Sequence, residues 1–174
     1  MGLVRFFSGA GSPSRFMEVL NSRIKVKEIF GKWKPETVEK EIAEMDSLEE
    51  VDVVFAHNDV MAMAARRAIE RMHPGLADRI CFVGIDAVSG RGSGLEAVMH
   101  GELAASVLYP TGGSLAIRVA MQILNGEDVS RQYLLSSALI DKNNAGTLFI
   151  QSEQVVDYQH QIELQRENLE SMLS

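Results

Sequence analysis

The stretch VVFAHNDVMAMAARRAIE, from Val53 to Glu70, joins a strand signal to a helix signal without a break. Its beginning is continuously apolar, as in a strand buried on both faces of a sheet, and we predict a strand over Val51 to Ala56. Beyond the polar HND triplet, apolar residues return at helical spacing, which predicts a helix over Val60 to Met72. Polar residues at such a junction face the crevice in which α/β sheets bind ligands.

The same alternation of strand and helix continues on both sides of this stretch. Strands regularly followed by helices imply right-handed crossovers and a parallel sheet covered on both faces, so the predicted fold class is α/β. The other predicted strands are Leu3 to Ser8, Ile24 to Phe30, Ile80 to Ile85 and Leu103 to Leu108. The other predicted helices are Pro13 to Arg23, Glu36 to Met45, Leu95 to His100 and Ser114 to Leu124.

The composition indicates a folded protein that does not have nucleic acid as its main partner. Of its 174 residues, 46% are hydrophobic and 24% are charged, and the formal net charge is -7. A chain of this charge has no overall field that would attract phosphate backbones. Its one basic cluster, Arg66, Arg67 and Arg71, falls at positions predicted for the solvated face of a helix.

Disulfide, metal and nucleophile chemistry lack the residue patterns that they require. The single cysteine, Cys81, allows no internal disulfide and is predicted to be a buried strand residue. The four histidines are scattered without ligand spacing, so no metal site or cofactor is predicted. The loop SGRGSG at Ser89 to Gly94 lacks the lysine of a phosphate-binding loop and is predicted to be a turn that lets the backbone approach a ligand. We predict no catalytic residues and do not expect an enzyme.

Two polar residues that directly follow predicted strands are candidates for binding a sugar. Asn58 carries amide donors and a carbonyl acceptor, which match a hydroxyl group that both donates and accepts hydrogen bonds. Helix capping is an equal alternative for Asn58 and the preferred interpretation for Asp59. Asp86 follows the apolar run ICFVGI, and its carboxylate can accept bonds from two adjacent hydroxyls. A loop cap is the alternative role for Asp86.

The last segment, Gln151 to Ser174, contains no glycine or proline and is predicted to be one helix. Its apolar residues repeat every seven positions, with charged residues beside them, which favours a two-stranded coiled coil. An amphipathic helix docked on its own domain is the alternative. The predicted domains are a lobe over residues 1–150 and a linker helix over residues 151–174, with a homodimer formed through Val155, Tyr158, Ile162, Leu169 and Met172.

Three motifs in order, VVFAHNDVMAMAARRAIE, ICFVGIDA and LEAVMHGELAASVLYPTGG, resemble the second half of type I periplasmic sugar-binding proteins. The following LLSSALIDKNNAGTLFIQSEQV is similar to the periplasmic sensor portion of Bacteroides-type hybrid two-component histidine kinases. The resemblance implies a periplasmic-binding-protein lobe, with a parallel sheet flanked by helices, followed by the coiled-coil helix. The family's first lobe has no counterpart here, so we expect the chain to be part of a longer protein.

The resemblance also implies which residues contact a ligand. Asn58, Asp86 and Tyr109 correspond to residues that bind the sugar. Trp33 corresponds to an aromatic that stacks on the apolar face of a sugar. Arg15 lies in a loop similar to the family's Gly-Ser-Pro loop and is the candidate basic contact.

The resemblance further implies how the chain continues beyond this lobe. Pro110 to Asn125 would cross to the other lobe, so we expect apolar surface to be exposed on the helix from Ser114 to Leu124. The chain would be the periplasmic part of an inner-membrane histidine kinase, in which a sugar closes two lobes and alters a pair of stalk helices.

The sequence leaves two other functions of this fold open. No apolar run reaches membrane-spanning length, so contact with the membrane would come only through a downstream segment. The first alternative is the substrate-binding protein of a sugar ABC transporter. The second is the ligand core of a lactose-repressor-type transcription regulator, which would carry a helix-turn-helix before the lobe.

Overall fold

The structure, a computed structural model, describes the backbone of residues 2–7 and the whole of residues 25–151. These residues form a six-stranded sheet with the order β2-β1-β3-β4-β5-β6. The first five strands are parallel to one another, and β6 pairs antiparallel with β5. The strands are β1 Gly2–Phe7, β2 Lys25–Phe30, β3 Val53–Ala56, β4 Cys81–Asp86, β5 Ala105–Leu108 and β6 Leu139–Asp141.

Helices connect the parallel strands, as the alternating pattern predicts. The helices are α1 Pro35–Ala43, α2 Asp59–Met72, α3 Gly94–Met99 and α4 Gly113–Leu124. Short 3-10 turns lie at Leu48–Glu50 and Ala77–Arg79, and a further helical stretch covers residues 145–151. The predicted α/β class is therefore confirmed, and the predicted elements within the described residues differ from the observed ones by one or two residues at their ends.

The core lies where α1 and α2 pack together on the sheet. Helix α1 begins at Pro35, whose fixed φ suits the first helical position, and it buries Val38 and Ile42 completely. Phe82 of β4 is 1% exposed and is the largest of the fully buried side chains. Helix α2 buries four alanines together with the larger Met61, Met63 and Ile69, so small and large side chains alternate in its packing against the sheet and α1.

Strand β6 was not predicted from the sequence. It has only three residues, of which Ile140 is 1% exposed and joins the core. A run this short shows no periodicity, so its place beside β5 depends on contacts with the rest of the sheet. The sheet is consequently mixed, with an antiparallel strand at one edge.

Two predictions about surface and core residues are wrong. Cys81 lies in a strand as predicted, but it is exposed. It is the first residue of β4, and strand alternation directs Phe82 rather than Cys81 into the core. Arg66 is not a fully solvated residue, because its guanidinium lies 5.6 Å from the centre of the Phe82 ring and donates to the Ala77 carbonyl at 3.0 Å. Arg67 and Arg71 are exposed as predicted.

Helix α4 buries none of its residues, and much of its exposed surface is apolar. Ile117, Met121 and Leu124 are 70%, 54% and 80% exposed. The prediction that this helix exposes apolar surface is confirmed. Among the helices that the structure describes, none is both long and apolar enough to cross a membrane. The predicted coiled coil falls on residues 152–174, outside the described residues, and remains a prediction.

Candidate functional site

The carboxyl ends of β3, β4 and β5 lie side by side and carry three of the predicted ligand contacts. Strand β4 pairs with β3 in a register that aligns Phe55 with Val83, and with β5 in a register that aligns Asp86 with Leu108. Asn58 lies three residues beyond Phe55, and Asp86 lies three residues beyond Val83. The structure therefore brings Asn58, Asp86 and Tyr109 to neighbouring positions along one edge of the sheet.

Asn58 caps a helix and keeps its amide donors unused, so the predicted ligand contact stays compatible with the capping role. Its side-chain oxygen accepts a hydrogen bond from the Met61 backbone N–H at 2.8 Å, which caps α2. Among the described residues, the amide nitrogen of the same side chain donates to no partner. Asn58 is 8% exposed, so this nitrogen lies close to the surface with its donors unused. Capping thus orients the amide without using its donors.

Asp59 does not cap α2, contrary to the sequence interpretation. The residue is 2% exposed, and its carboxylate accepts two hydrogen bonds, one from the residue after β4 and one from β5. The Ala87 N–H donates to Oδ2 at 2.8 Å, and the Ser106 hydroxyl donates to Oδ1 at 2.6 Å. Ser106 Oγ also accepts from the Ala87 N–H at 3.1 Å. The cap is made by the preceding residue because Asn58, with extended backbone, occupies the N-cap position.

Two glycines make room for the Asp59 side chain. A β-carbon added at Gly84 of β4 would lie 3.0 Å from the Asp59 Cα and would overlap its carboxylate. One added at Gly94, the first residue of α3, would lie 2.5 Å from the Asp59 Cβ and would also overlap the carboxylate. Real β-carbons do not approach other heavy atoms so closely. The two glycines therefore let β4 and α3 close around a buried acid.

Asp86 and Ala87 form a turn with left-handed backbone at the end of β4. Their φ angles are 113° and 48°, in a region that side-chain-bearing residues rarely adopt. The Asp86 carbonyl accepts from the Tyr109 N–H at 3.3 Å, and the next N–H is bound by Asp59 and Ser106. Backbone in such regions persists where surrounding contacts determine it, and it is frequent at ligand sites. The Asp86 carboxylate has no hydrogen-bond partner among the described residues.

The predicted aromatic contacts lie at opposite sides of the sheet. Trp33 follows β2 and is 55% exposed, whereas Tyr109 follows β5 and is 66% exposed. In the strand order, β2 and β5 are four steps apart, or about 19 Å at the usual strand spacing. Trp33 also has a φ of 60°, which is uncommon for a bulky residue. The site thus groups Tyr109 with Asn58 and Asp86, and leaves Trp33 at a distance. Arg15 falls outside the described residues.

The glycine-rich loop is a compact turn, as predicted. Gly90 and Gly92 have φ angles of 110° and 69°, and the Gly92 N–H donates to the Glu96 carboxylate at 2.5 Å. The Leu95 N–H donates to the Val88 carbonyl at 3.1 Å, so the loop closes on its own ends. Within residues 25–151, no group of three or more metal-ligating side chains comes together.

Comparison with known proteins assigns the family. A family model for periplasmic binding protein domains matches residues 14–128, more than half of the chain. The chain belongs to the periplasmic binding protein domain family. The predicted resemblance is confirmed, and membership identifies this part of the protein as a binding module rather than an enzyme.

Relatives of this periplasmic binding protein domain include two curated sugar-import proteins. The ribose import binding protein of Salmonella typhimurium LT2 is 38% identical over 95 residues, which are 53% of this chain and 30% of that protein. The ribose import binding protein of Escherichia coli K12 is 36% identical over 95 residues, which are again 53% of this chain and 30% of that protein. The aligned region is therefore about half of this domain and less than a third of each relative.

Solved structures share the fold over most of the chain. The fructose-binding periplasmic domain of a hybrid two-component system has a TM-score of 0.83 and 28% identity, covering 94% of this chain and 57% of that one. An ABC transporter solute-binding protein from Actinobacillus succinogenes 130z, with bound D-allose, has a TM-score of 0.69 and 20% identity, covering 84% and 54%. The chain thus spans a little over half the length of these structures, and the second likeness concerns the fold alone.

The buried carboxyl in this binding domain predicts a pH-dependent stability. Burial raises the pKa of Asp59 from 3.8 to about 6, although the Ser106 and Ala87 donors oppose the rise, and the nearby Asp86 charge adds to it. Burial also raises the pKa of Asp86. Because the folded state holds the proton more tightly than the unfolded chain, the Asp59 contribution to stability is greatest below pH 4 and is lost as the pH rises to about 6.

We expect the wild type to lose about 1–3 kcal/mol of unfolding free energy relative to an Asp59→Asn variant between pH 4 and pH 7. Urea denaturation of both proteins at four pH values measures the difference in unfolding free energy. The other carboxylates titrate in both proteins, so their contribution is removed by the subtraction. A difference that increases with pH in favour of the wild type would contradict the raised pKa.

Proposed function

We propose that the chain supplies one wall of a sugar-binding crevice in the periplasmic sensor portion of a hybrid two-component histidine kinase. The observation that carries the proposal is the pairing of two unused polar groups at adjacent strand ends. The Asn58 amide offers donors, and the Asp86 carboxylate offers acceptors, with no partner for either group among the described residues. The family match and the fructose-binding relative support a ligand of the sugar class.

The chemistry of this pair suits vicinal hydroxyl groups. A carboxylate accepts hydrogen bonds from two neighbouring hydroxyls, and an amide nitrogen donates to a hydroxyl or ring oxygen. The exposed ring of Tyr109 beside them can cover the apolar face of a sugar ring. Asp86 is half-buried, so its hydrogen bonds would be shielded from water more than those of a surface carboxylate.

The second wall would come from another lobe of the same protein. Helix α4 buries none of its residues, and its exposed Ile117, Met121 and Leu124 provide apolar surface for such a lobe. A sugar held between two lobes would favour the closed arrangement, because only that arrangement completes its contacts. In the sensor, closure would change the relation of two stalk helices, paired through the heptad positions beyond residue 151, and so act on a kinase across the inner membrane.

Transport is the second candidate function, and the import proteins favour it. The ribose import binding proteins show the higher identities, 38% and 36%, although over a shorter part of the chain. Such a protein would deliver its sugar to a permease, and it would need the same crevice. The two functions therefore differ in what the closed protein contacts.

A calorimetric screen of the full-length gene product tests the proposal. We expect one of D-fructose, D-ribose and D-allose to bind and, at a concentration 100-fold above its Kd, to add about 2.7 kcal/mol of stability. That gain corresponds to a rise of roughly 4–5 °C in the Tm of a two-lobed sugar-binding domain. An absence of binding by these and by a wider panel of mono- and oligosaccharides would refute the proposal.

An autophosphorylation assay distinguishes a sensing function from a transport function. Membranes containing the gene product would be incubated with labelled ATP, with and without the sugar that the screen identifies. A sensor is expected to change its autophosphorylation when the sugar is present. Sugar binding without any phosphorylation, together with sugar uptake that depends on the protein, would favour transport.

A further inference from the structure

Asp59 is 2% exposed, too deep to touch a ligand, and it binds the N–H of Ala87, the residue that follows the candidate ligand contact Asp86. We propose that Asp59 is a positioning residue that, together with Ser106, fixes the Asp86–Ala87 turn and so aims the Asp86 carboxylate at the sugar. The proposal rests on the proposed function, since it takes Asp86 as a ligand contact. It assigns Asp59 and Ser106 to the binding site in a supporting role, although both are too deeply buried to contact a ligand.

The hydrogen bonds form a closed triangle around one backbone N–H. The Ala87 N–H donates to both Asp59 Oδ2 and Ser106 Oγ, at 2.8 and 3.1 Å, and the Ser106 hydroxyl donates to Asp59 Oδ1 at 2.6 Å. Ser106 is fully buried, and Asp59 is 2% exposed. An ionised carboxylate accepts at both oxygens, so it satisfies both donors at once. Charge-assisted bonds of this kind hold a backbone group more firmly than neutral ones do.

The Asp86–Ala87 turn, which the triangle holds, needs a restraint from outside the segment. Asp86 and Ala87 have positive φ angles although neither is glycine, so the isolated segment would relax to an ordinary extended conformation. Relaxation would rotate the peptide between them and move the Asp86 side chain. The Tyr109 N–H, at 3.3 Å from the Asp86 carbonyl, restrains the turn on its other side. The position of the ligand carboxylate therefore depends on donors and acceptors from α2 and β5.

The surroundings leave Asp59 no alternative position. The bare α-carbons of Gly84 and Gly94 lie against its side chain, and a β-carbon at either glycine would overlap the carboxylate. The acid is thus enclosed by β4 and α3 as well as by its two hydrogen-bond partners. An enclosed acid with fixed partners acts as an anchor for the chain around it.

An Asp59→Asn variant tests this role at almost constant volume. An asparagine side chain has one acceptor oxygen in place of two, so residue 59 can accept from either Ala87 or Ser106 but not from both, and the triangle opens. We expect the Kd for the sugar to rise about 10-fold or more, and the Kd of a Ser106→Ala variant to rise about 3-fold, because Ala87 then keeps its bond to Asp59. The matched control is Asp78→Asn, which removes a carboxylate paired with Arg66 on the outer surface and should leave the Kd unchanged.

A double-mutant cycle separates positioning from general destabilisation. All titrations would be made on the full-length gene product by calorimetry, with circular dichroism to confirm that each variant is folded. If Asp59 acts through Asp86, the effects of Asp59→Asn and Asp86→Asn will not add, and Asp59→Asn will change the Kd less than 2-fold in the Asp86→Asn background. If Asp59 were merely structural, Asp59→Asn would lower the Tm, and its effect on the Kd would add to the effect of Asp86→Asn.

The outcomes distinguish this proposal from the proposed function. If the wild type binds no sugar, the proposed function fails, and this proposal fails with it. If the wild type binds a sugar and Asp86→Asn weakens binding, but folded Asp59→Asn binds normally or adds its effect independently, only the positioning role is overturned.

Discussion

Replacement of Asp86 by alanine is expected to raise the Kd for the sugar by at least about 100-fold. The substitution removes both acceptor oxygens from a half-buried position where a sugar hydroxyl would then lack a partner, and a lost charged hydrogen bond costs about 1.5–3 kcal/mol each. Isothermal titration calorimetry of the full-length gene product measures the change. A Kd within 3-fold of the wild-type value would remove Asp86 from the site.

An Asp86→Gly variant controls for the backbone. Asp86 has a φ of 113°, which glycine adopts without steric cost, so the glycine variant should be about 1 kcal/mol more stable than the alanine variant. Both variants should lose binding equally, because both lack the carboxylate. Binding restored by glycine would mean that backbone geometry, rather than the carboxylate, makes the contact.

Asn58 allows a second control that separates capping from binding. Serine at position 58 keeps an oxygen for the Met61 N–H but lacks the amide donors, whereas alanine lacks both. We expect Asn58→Ser to retain stability within about 0.5 kcal/mol and Asn58→Ala to lose about 1 kcal/mol. Both should weaken binding, and normal binding by the serine variant would restrict Asn58 to its capping role.

A Gly94→Ala substitution is expected to lower the unfolding free energy by about 3 kcal/mol. The new β-carbon would lie 2.5 Å from the Asp59 Cβ and would overlap the carboxylate, which is already enclosed by Gly84 and Ser106. Either α3 must move outward or Asp59 must leave its partners, and both changes loosen the end of β4. Urea denaturation at pH 7 measures the loss.

The matched control for that substitution is Gly113→Ala. Gly113 also begins a helix, but a β-carbon there would meet no heavy atom within 4 Å. Its replacement should change stability by less than about 0.5 kcal/mol, or stabilise the protein slightly through a better helix propensity. Equal losses at positions 94 and 113 would show that the close packing of α3 on Asp59 does not limit stability.

Local sequence patterns determined the order of the elements and the candidate positions. The apolar run before Asn58 and the run before Asp86 each predict a strand, and the residues after them predict helix or turn, because both signals lie within a few positions of chain. In a parallel sheet, every such junction falls on the same edge. The sequence therefore predicted that Asn58, Asp86 and Tyr109 follow strands at one edge of the sheet, which the strand register confirms, and the family match agrees with the predicted fold. The coiled coil beyond residue 151 remains a prediction.

Long-range contacts decided what the polar residues do. Asn58, rather than Asp59, caps the helix. The Asp59 carboxylate instead accepts hydrogen bonds from Ala87 and Ser106, which are 28 and 47 residues away. Ser106 lies within a strand and carries no local signal of its role. The three-residue strand β6 and the exposure of Cys81 likewise depend on neighbours that are remote in sequence.

The sequence by itself thus determined which side chains reach the edge of the sheet, since strand direction and turn chemistry are local properties. Only the tertiary structure decided which of them remain open to a ligand and which are buried to support the others. The physical reason is that burying a carboxylate such as Asp59 requires donors to compensate its lost hydration, and these donors come from distant strands.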